Sequence, residues 1–428
     1  MQKIFYNARF LTLNDNFDEC DAMLINDDNI VFVGESNEVL QMKTDETELV
    51  DLNKKIVVPT FFDVNIRLYS MIEQELKNAK KDNFIENLTE EDENYEKFCN
   101  FDIYAEEFDK LQNRLLNRGI TTIQEEIKNV EEFIFWKKIS ESGRLKIDVI
   151  GYVDFLNNRK IMDDNCRSYR KYKNHFRLCG YYLNLDGDIL EKKAWLKKAY
   201  PKEKGYKGFA LLGFEQLGII IKTALDEKKQ LLVHADGNMA VEQFLICYEE
   251  QIKEKNIEDN FRPMILGCNF LNKKVLLKMK DLKITPVFKI DNIIHNEKRV
   301  KEVFGLIKSK HLIPISNIEK LGEEYLFATK ENLQSNIIEE INYTIQSNSL
   351  INKCLKKEKK YDLNKALKTF IKTPAYYAFD LDQKGSFESG KKANFLVCDL
   401  NESEGCLFDI KVNQVYLDGC LVFENNKK

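Results

Sequence analysis

The sequence predicts an α/β protein built on a parallel barrel, and three observations predict it. The first is Pro59 to Leu68, P-T-F-F-D-V-N-I-R-L, which follows the apolar run Ile56-Val57-Val58 and alternates polar with apolar residues. A strand sends successive side chains to opposite faces, so Asp63, Asn65 and Arg67 are expected on one face and Phe62, Val64 and Ile66 on the other. The second is the alternation of β-rich runs with helical stretches through the middle of the chain, the order a parallel barrel requires. The third is a set of short strand signals near each chain end.

Taken in order, Ile4 to Leu13 has apolar residues in partial alternation. Ala22-Met23-Leu24-Ile25 and Ile30-Val31-Phe32-Val33 flank the turn Asn26-Asp27-Asp28-Asn29, a hairpin signal. In the middle, Gly119 to Ile123, Lys146 to Val153 and Gln230 to His234 read as barrel strands. The acidic segment Asn83 to Lys97 reads as a solvated helical face, and Lys353 to Lys360 as a basic surface run without aromatic interleaving. Leu363 to Tyr376 has a helical pattern ending near Pro374. Gly385 and Gly390 then suit turns before a returning strand at Phe395 to Cys398, and Val412 to Gly419 reads as part of a last hairpin.

The chain has 428 residues, 43% of them hydrophobic, enough for a sizeable core. Its 65 basic and 70 acidic residues leave a net charge of −5, which argues against nucleic acid as a partner. No apolar run reaches membrane-spanning length and no export signal opens the chain, so a cytoplasmic protein is expected. The ten cysteines include no C-x-x-C pair and read as buried reduced thiols. Oligomeric state is not legible.

With its lead-in Asp51-Leu52-Asn53, the Pro59–Leu68 stretch resembles the opening strand of the amidohydrolase superfamily, D-L-x-G-K-x-V-x-P-G-F-x-D-x-H-x-H. G-S-F-E-S-G-K-K-A-N-F-L-V-C-D, from Gly385 to Asp399, is similar to that family's closing signature. His234 to Ala240, H-A-D-G-N-M-A, and Leu185 to Leu196, L-D-G-D-I-L-E-K-K-A-W-L, resemble two blocks of the family 3 branch, whose members include N-substituted formamide deformylases. The resemblance implies a (β/α)8 TIM barrel over 59–384 and a small discontinuous β-sandwich made from 1–58 and 385–428. It also implies a metal site and hydrolysis of carbon–nitrogen bonds other than peptide bonds.

The implied metal ligands are largely replaced. The two opening histidines fall at Asn65 and Arg67, the bridging lysine at Tyr182, the first later histidine at His234, the second at Gly267, and the catalytic aspartate at Asn317. Zinc takes three or four N, S or O ligands, and an amide cannot serve as the base that activates water. A guanidinium about 4 Å from a divalent ion repels it by roughly 8 kcal/mol at an effective dielectric of about 20. Cys268, beside Gly267, is the one plausible substitute ligand. Asp186 reads as a turn residue, and Asp236 occupies a variable position of the family pattern.

Two functions are therefore weighed. In the first, metal-dependent hydrolysis has been lost and the barrel binds a small ligand or partner, with no cofactor. In the second, an active hydrolase uses zinc or metal-free acid–base chemistry with His234 and Asp63. In either, an anionic small molecule is a candidate ligand at the barrel mouth, where Asn65, Arg67, Tyr182, His234 and Asn317 would meet it. Arg67 needs an anionic partner there, either Asp63, which makes it a structural plug, or a ligand's carboxylate or phosphate.

Overall fold

The structure is a computed structural model that describes residues 1–16, 18–81, 101–253, 260–289, 295–309, 311–314, 318, 320–322, 324–328, 363–402 and 408–425. The segments 83–97 and 353–360 and the residue Asn317 lie outside the described residues.

The chain opens with β1 (Gln2–Tyr6), β2 (Arg9–Leu11), β3 (Glu19–Cys20), β4 (Ala22–Asn26), β5 (Asn29–Gly34), β6 (Glu48–Asp51) and β7 (Ile56–Pro59). The barrel strands follow: β8 (Phe61–Ile66), β9 (Ile120–Ile127), β10 (Asp148–Asp154), β11 (Phe176–Asn184), β12 (Gln230–Ala235), β13 (Met264–Gly267), β14 (Thr285–Lys289) and β15 (Leu326–Ala328). Last come β16 (Phe395–Glu402), β17 (Phe408–Leu417) and β18 (Cys420–Glu424).

The β4–β5 hairpin forms as its turn chemistry dictates. Asn26 pairs with Asn29, and Asp27 takes the left-handed conformation (φ 52°) that asparagine and aspartate tolerate best after glycine. The chain ends share a sheet, because β16 pairs antiparallel with β7 and β2 pairs parallel with β7. Its order is β18-β17-β16-β7-β2-β3, and it faces a second sheet ordered β5-β4-β1-β6. Between the two lies a core in which the Phe395 and Tyr416 rings stack with centroids 4.4 Å apart and Phe5 meets Phe395 edge-on at 4.9 Å.

Strands β8 to β15 form one eight-stranded sheet in sequence order, with every paired neighbour parallel. β15 returns to lie against β8, so the sheet is a nearly closed barrel. Period-two alternation sorts the side chains into two layers. Phe62, Val64, Ile150, Tyr152, Tyr182 and Leu232 pack in the lumen, while Ile123, Ile127, Val153, Tyr181 and Val233 pack against the helices. Among the described residues no helix is long and apolar enough to cross a membrane.

Three expectations change on contact with the fold. The helical pattern near Pro374 does not end there, since Pro374 sits in the first turn of a helix spanning Lys372–Tyr377, where its missing N–H is not needed. The seven described cysteines are unpaired, but Cys166 and Cys420 are exposed and not buried. The third concerns β8. Asp63 stands opposite Ile123, which faces the helices, so Asp63 points away from the lumen. At Asn65 the strand bulges and the backbone turns left-handed (φ 74°), which exchanges the two faces for the residues that follow. Asp63 and Arg67 therefore do not share a face.

The floor of the barrel, at the N-terminal ends of its strands, is closed by the Lys372–Tyr377 helix and the segment that follows it. Ala375 and Ala378 enter the lumen cluster, and Gln230 Nε2 donates to the Tyr377 carbonyl at 2.9 Å. A buried ionic group seals this end. Lys384 Nζ lies 2.6 Å from Asp148 Oδ2 and 3.5 Å from Asp380 Oδ2, and Arg177 pairs with Asp380 at 2.9 Å. His175 Nδ1 meets the other Asp148 oxygen at 2.9 Å. Burial works against the Asp148 charge, but Lys384 and His175 outweigh it and hold the carboxyl down at about 2. The hydrogen bond to Asp148 raises the His175 imidazole.

Candidate functional site at the barrel mouth

The opposite end is where a parallel barrel gathers reactive side chains, because the βα loops leave from it. Here the mouth is built from the last inward-facing residues of β9, β11, β12 and β14, with Arg67 just past β8. His234, on β12, is buried among them. Its Nδ1 lies 2.8 Å from Asn184 Oδ1, an oxygen that also accepts from the Tyr182 hydroxyl at 2.9 Å. An amide oxygen can only accept, so Nδ1 carries the proton and Nε2 is left with a lone pair. That lone pair accepts from Lys289, whose Nζ is 2.5 Å away, and the same ammonium is 3.2 Å from Asp236 Oδ1. The three groups meet pairwise, since His234 Nε2 is itself 3.1 Å from Asp236 Oδ1.

The charges follow from this arrangement. Burial lowers the His234 pKa and the adjacent Lys289 ammonium lowers it further, so the ring is neutral at neutral pH. Burial alone would raise the Asp236 carboxyl, but Lys289 and then His234 hold it far below the usual carboxylate range. Tyr182 is fully buried in the lumen, and burial lifts its hydroxyl well above the ordinary tyrosine value.

Arg67 reaches a different carboxylate from the one expected. Its Nε lies 2.9 Å from Glu126 Oε2, on the neighbouring strand, and Glu126 is almost wholly buried. Burial raises the Glu126 carboxyl, against the pull of Arg67. Below Glu126 on the same inward face of β9, Gln124 and Thr122 are buried with unpartnered polar atoms, as is Asn65 Oδ1 beside them on β8. Such atoms each cost about 1–3 kcal/mol when left unpaired, so this column is a local liability inside a well-packed lumen.

The remaining candidates are also placed. Gly267 has φ 108°, and a Cβ built on it would lie 2.4 Å from Asp236 Oδ1 and 2.8 Å from the Ala235 carbonyl. Cys268 is turned out of the mouth, its Sγ donating to the Ile265 carbonyl at 3.2 Å within the helix-facing core. Asp186 is more than a turn residue: it accepts from the amides of Trp195, Asp236 and Gly237, each at 2.8 Å, and so staples two βα loops. Burial and then the charge of Asp236 push its carboxyl up to about 7. Among the described residues, no three His, Cys, Asp or Glu side chains converge as a metal would need.

Sequence reasoning brought Arg67, Tyr182, His234 and Gln124's strand to the barrel but missed Glu126, Asn184, Asp236 and Lys289 as site residues. For Glu126 a signal existed: Thr122, Gln124 and Glu126 alternate with Ile123 and Ile127 in I-T-T-I-Q-E-E-I. For Lys289, one cation at the end of a five-residue strand, there was none.

Solved structures similar in shape include hydrolases. An uncharacterized metal-dependent hydrolase from Pyrococcus horikoshii superposes with a TM-score of 0.73 at 18% identity, over 94% of this chain and 98% of that one. A triazine hydrolase from Arthrobacter aurescens gives 0.65 at 13% identity, over 99% and 95%. An Xaa-Pro dipeptidase with methionine bound in its active site gives 0.65 at 14% identity, over 99% and 100%. No curated protein matches the sequence. At these identities the likeness establishes the barrel alone, but the sequence model described as the amidohydrolase family matches residues 80–423, most of the chain. The chain therefore belongs to the amidohydrolase family.

Proposed function

We propose that this chain retains the amidohydrolase barrel as a metal-independent binding scaffold and has lost metal-dependent hydrolysis. The observation that supports this most is the Lys289 ammonium packed against both His234 Nε2 and Asp236 Oδ1. His234 stands at the one ligand position that keeps its histidine, and the lone pair it would offer a metal is already given to a cation. A zinc ion needs three or four donors in a tight shell. Arg67 and Lys289 are cationic, Gly267 offers no donor atom, and Asn65 and Tyr182 are neutral, so these residues do not fit a catalytic zinc. On this reading Arg67 is a plug, its charge met internally by Glu126, and the similarity to the formamide deformylase branch reflects scaffold ancestry in a cytoplasmic protein.

Elemental analysis after incubation with zinc and desalting tests the reading, together with an assay on N-substituted formamides. The expected result is far less than one metal per chain and no turnover. Near one zinc per chain with turnover would overturn it. One feature favours a second reading, hydrolysis of a carbon–nitrogen bond without metal: the Glu126 carboxyl at the mouth, which burial raises against the pull of Arg67. Metal-free turnover abolished by Glu126→Gln would carry that reading in place of the first.

A further inference from the structure

Beside the mouth, the loops and helices following β11 to β14 enclose a recess of about 340 Å3. Its floor is apolar. Leu196, Phe270 and Phe304 belong to a cluster separate from both barrel layers, and the Phe270 and Phe304 rings meet edge to face with centroids 4.9 Å apart. The far rim is fixed by two features. Gly305, in a conformation that favours glycine (φ 77°), breaks the Glu297–Ser309 helix directly after Phe304, and the Phe270 amide donates to the Leu312 carbonyl at 2.8 Å.

Lys198, Lys308 and His311 stand on this rim. Among the described residues no carboxylate pairs with Lys198 or Lys308, whereas neighbouring Lys197 is 3.5 Å from Glu242. Two asparagines in the wall are already engaged: Asn238 Oδ1 accepts from the Lys197 amide at 3.0 Å, and Asn272 Oδ1 accepts from the Lys274 and Val275 amides. What the recess presents is thus an apolar floor of core side chains under a rim of uncompensated positive charge, in a chain whose net charge is −5.

We propose that this recess binds a small amphipathic anion, its anionic head between Lys198, Lys308 and His311 and its aliphatic or aromatic body over Phe270 and Phe304. A recess of this volume, mostly apolar with a few convergent polar groups, suits one small molecule. A carboxylate and a phosphate would use the rim in the same way. The proposal rests on the reading of the barrel as a binding scaffold and places the ligand beside the mouth, where no residue of the ionic mouth is consumed.

Titration of the whole protein with hexanoate, hexanamide, hexyl phosphate and inorganic phosphate, followed by calorimetry and by the His311 imidazole NMR signal, tests it. That signal is assigned by its loss in His311→Gln. Hexanoate or hexyl phosphate is expected to saturate and to shift the His311 signal while leaving His234 in place, and the tighter of the two identifies the head group. Hexanamide and inorganic phosphate should each bind at least about tenfold more weakly, a difference of about 1.4 kcal/mol. The exposed pair Lys198→Glu and Lys308→Glu should lose at least tenfold in affinity without a fall in melting temperature. Equal binding of hexanamide, equal binding of bare phosphate, full affinity in the double variant, or no saturation by either amphipathic anion would each overturn the proposal. Zinc uptake and hydrolysis with anion binding intact at His311 would remove only the metal-independent reading.

Discussion

At the floor of the barrel Lys384 holds one oxygen of Asp148 and His175 takes the other; at the mouth Lys289 lies against the imidazole of His234 itself. The same three residue types therefore give opposite electrostatics. A carboxylate shared between a lysine and a histidine favours a protonated ring, and the His175 pKa is raised. At the mouth Asp236 is shared in the same way, but full burial of the ring, and then an ammonium aimed at the ring's own lone pair, favour the neutral form, and the His234 pKa is lowered. Burial and the lysine's contact with the ring decide the outcome, not the composition of the cluster.

The largest effect expected from this contrast is on stability. Lys384→Met leaves Asp148 and Asp380 buried with less compensation and is expected to cost about 3–5 kcal/mol, read from the denaturant midpoint. Lys289→Met is expected to cost somewhat less, about 2–4 kcal/mol, because it leaves one buried carboxylate, Asp236, without its ammonium where the floor variant affects two. An Asp236→Asn change added to it should recover part of the loss. If the mouth variant proved the more damaging, the assignment of the floor as the structural end would fail.

Next in size is the pH dependence. His175 has a raised folded pKa, so its contribution is fully present below the unfolded value of about 6.5 and fades as pH rises through the folded one. The stability gap between wild type and His175→Gln should therefore be widest near pH 5 and close above neutrality. His234 has a lowered folded pKa, so its contribution is present above about pH 6.5 and is lost as pH falls. Its gap to His234→Gln should shrink or reverse in acid. Imidazole NMR titrations moving in the same direction for both rings would break the comparison.

Arg67→Met is expected to cost only about 1 kcal/mol, since Glu126 already has a raised pKa and can shed its charge by taking a proton. Smallest of all, Gln124→Met removes two unpartnered buried polar atoms and is expected to be neutral or to stabilise by up to about 1 kcal/mol. A loss of several kcal/mol there would mean that the column has partners in solution.

The architecture was legible because its signals are local and repeated: the Asn26–Asn29 turn, the glycine turns before β16, and apolar runs spaced by helices. Of the residues singled out from the sequence, His234, Tyr182 and Arg67 do face the mouth or lumen. Their partners were not. Alternation in β8 predicted Asp63 beside Arg67, and one left-handed residue at Asn65 reversed that, a change no period-two count registers. Lys289 meets His234 from β14, two strands away in the sheet and 55 positions along the chain, so only the closed barrel brings them together.

Gly267 and Asp236 hold one another in place. With its left-handed backbone and the Asp236 carboxylate in the space a Cβ would fill, position 267 cannot take a side chain while Asp236 keeps its present rotamer. Moving Asp236 removes an anchor of Lys289, and an unanchored ammonium beside His234 still opposes a cation. Remodelling the mouth to hold a cation thus requires several changes together, each unfavourable alone, because the residues that line it lock one another's conformations.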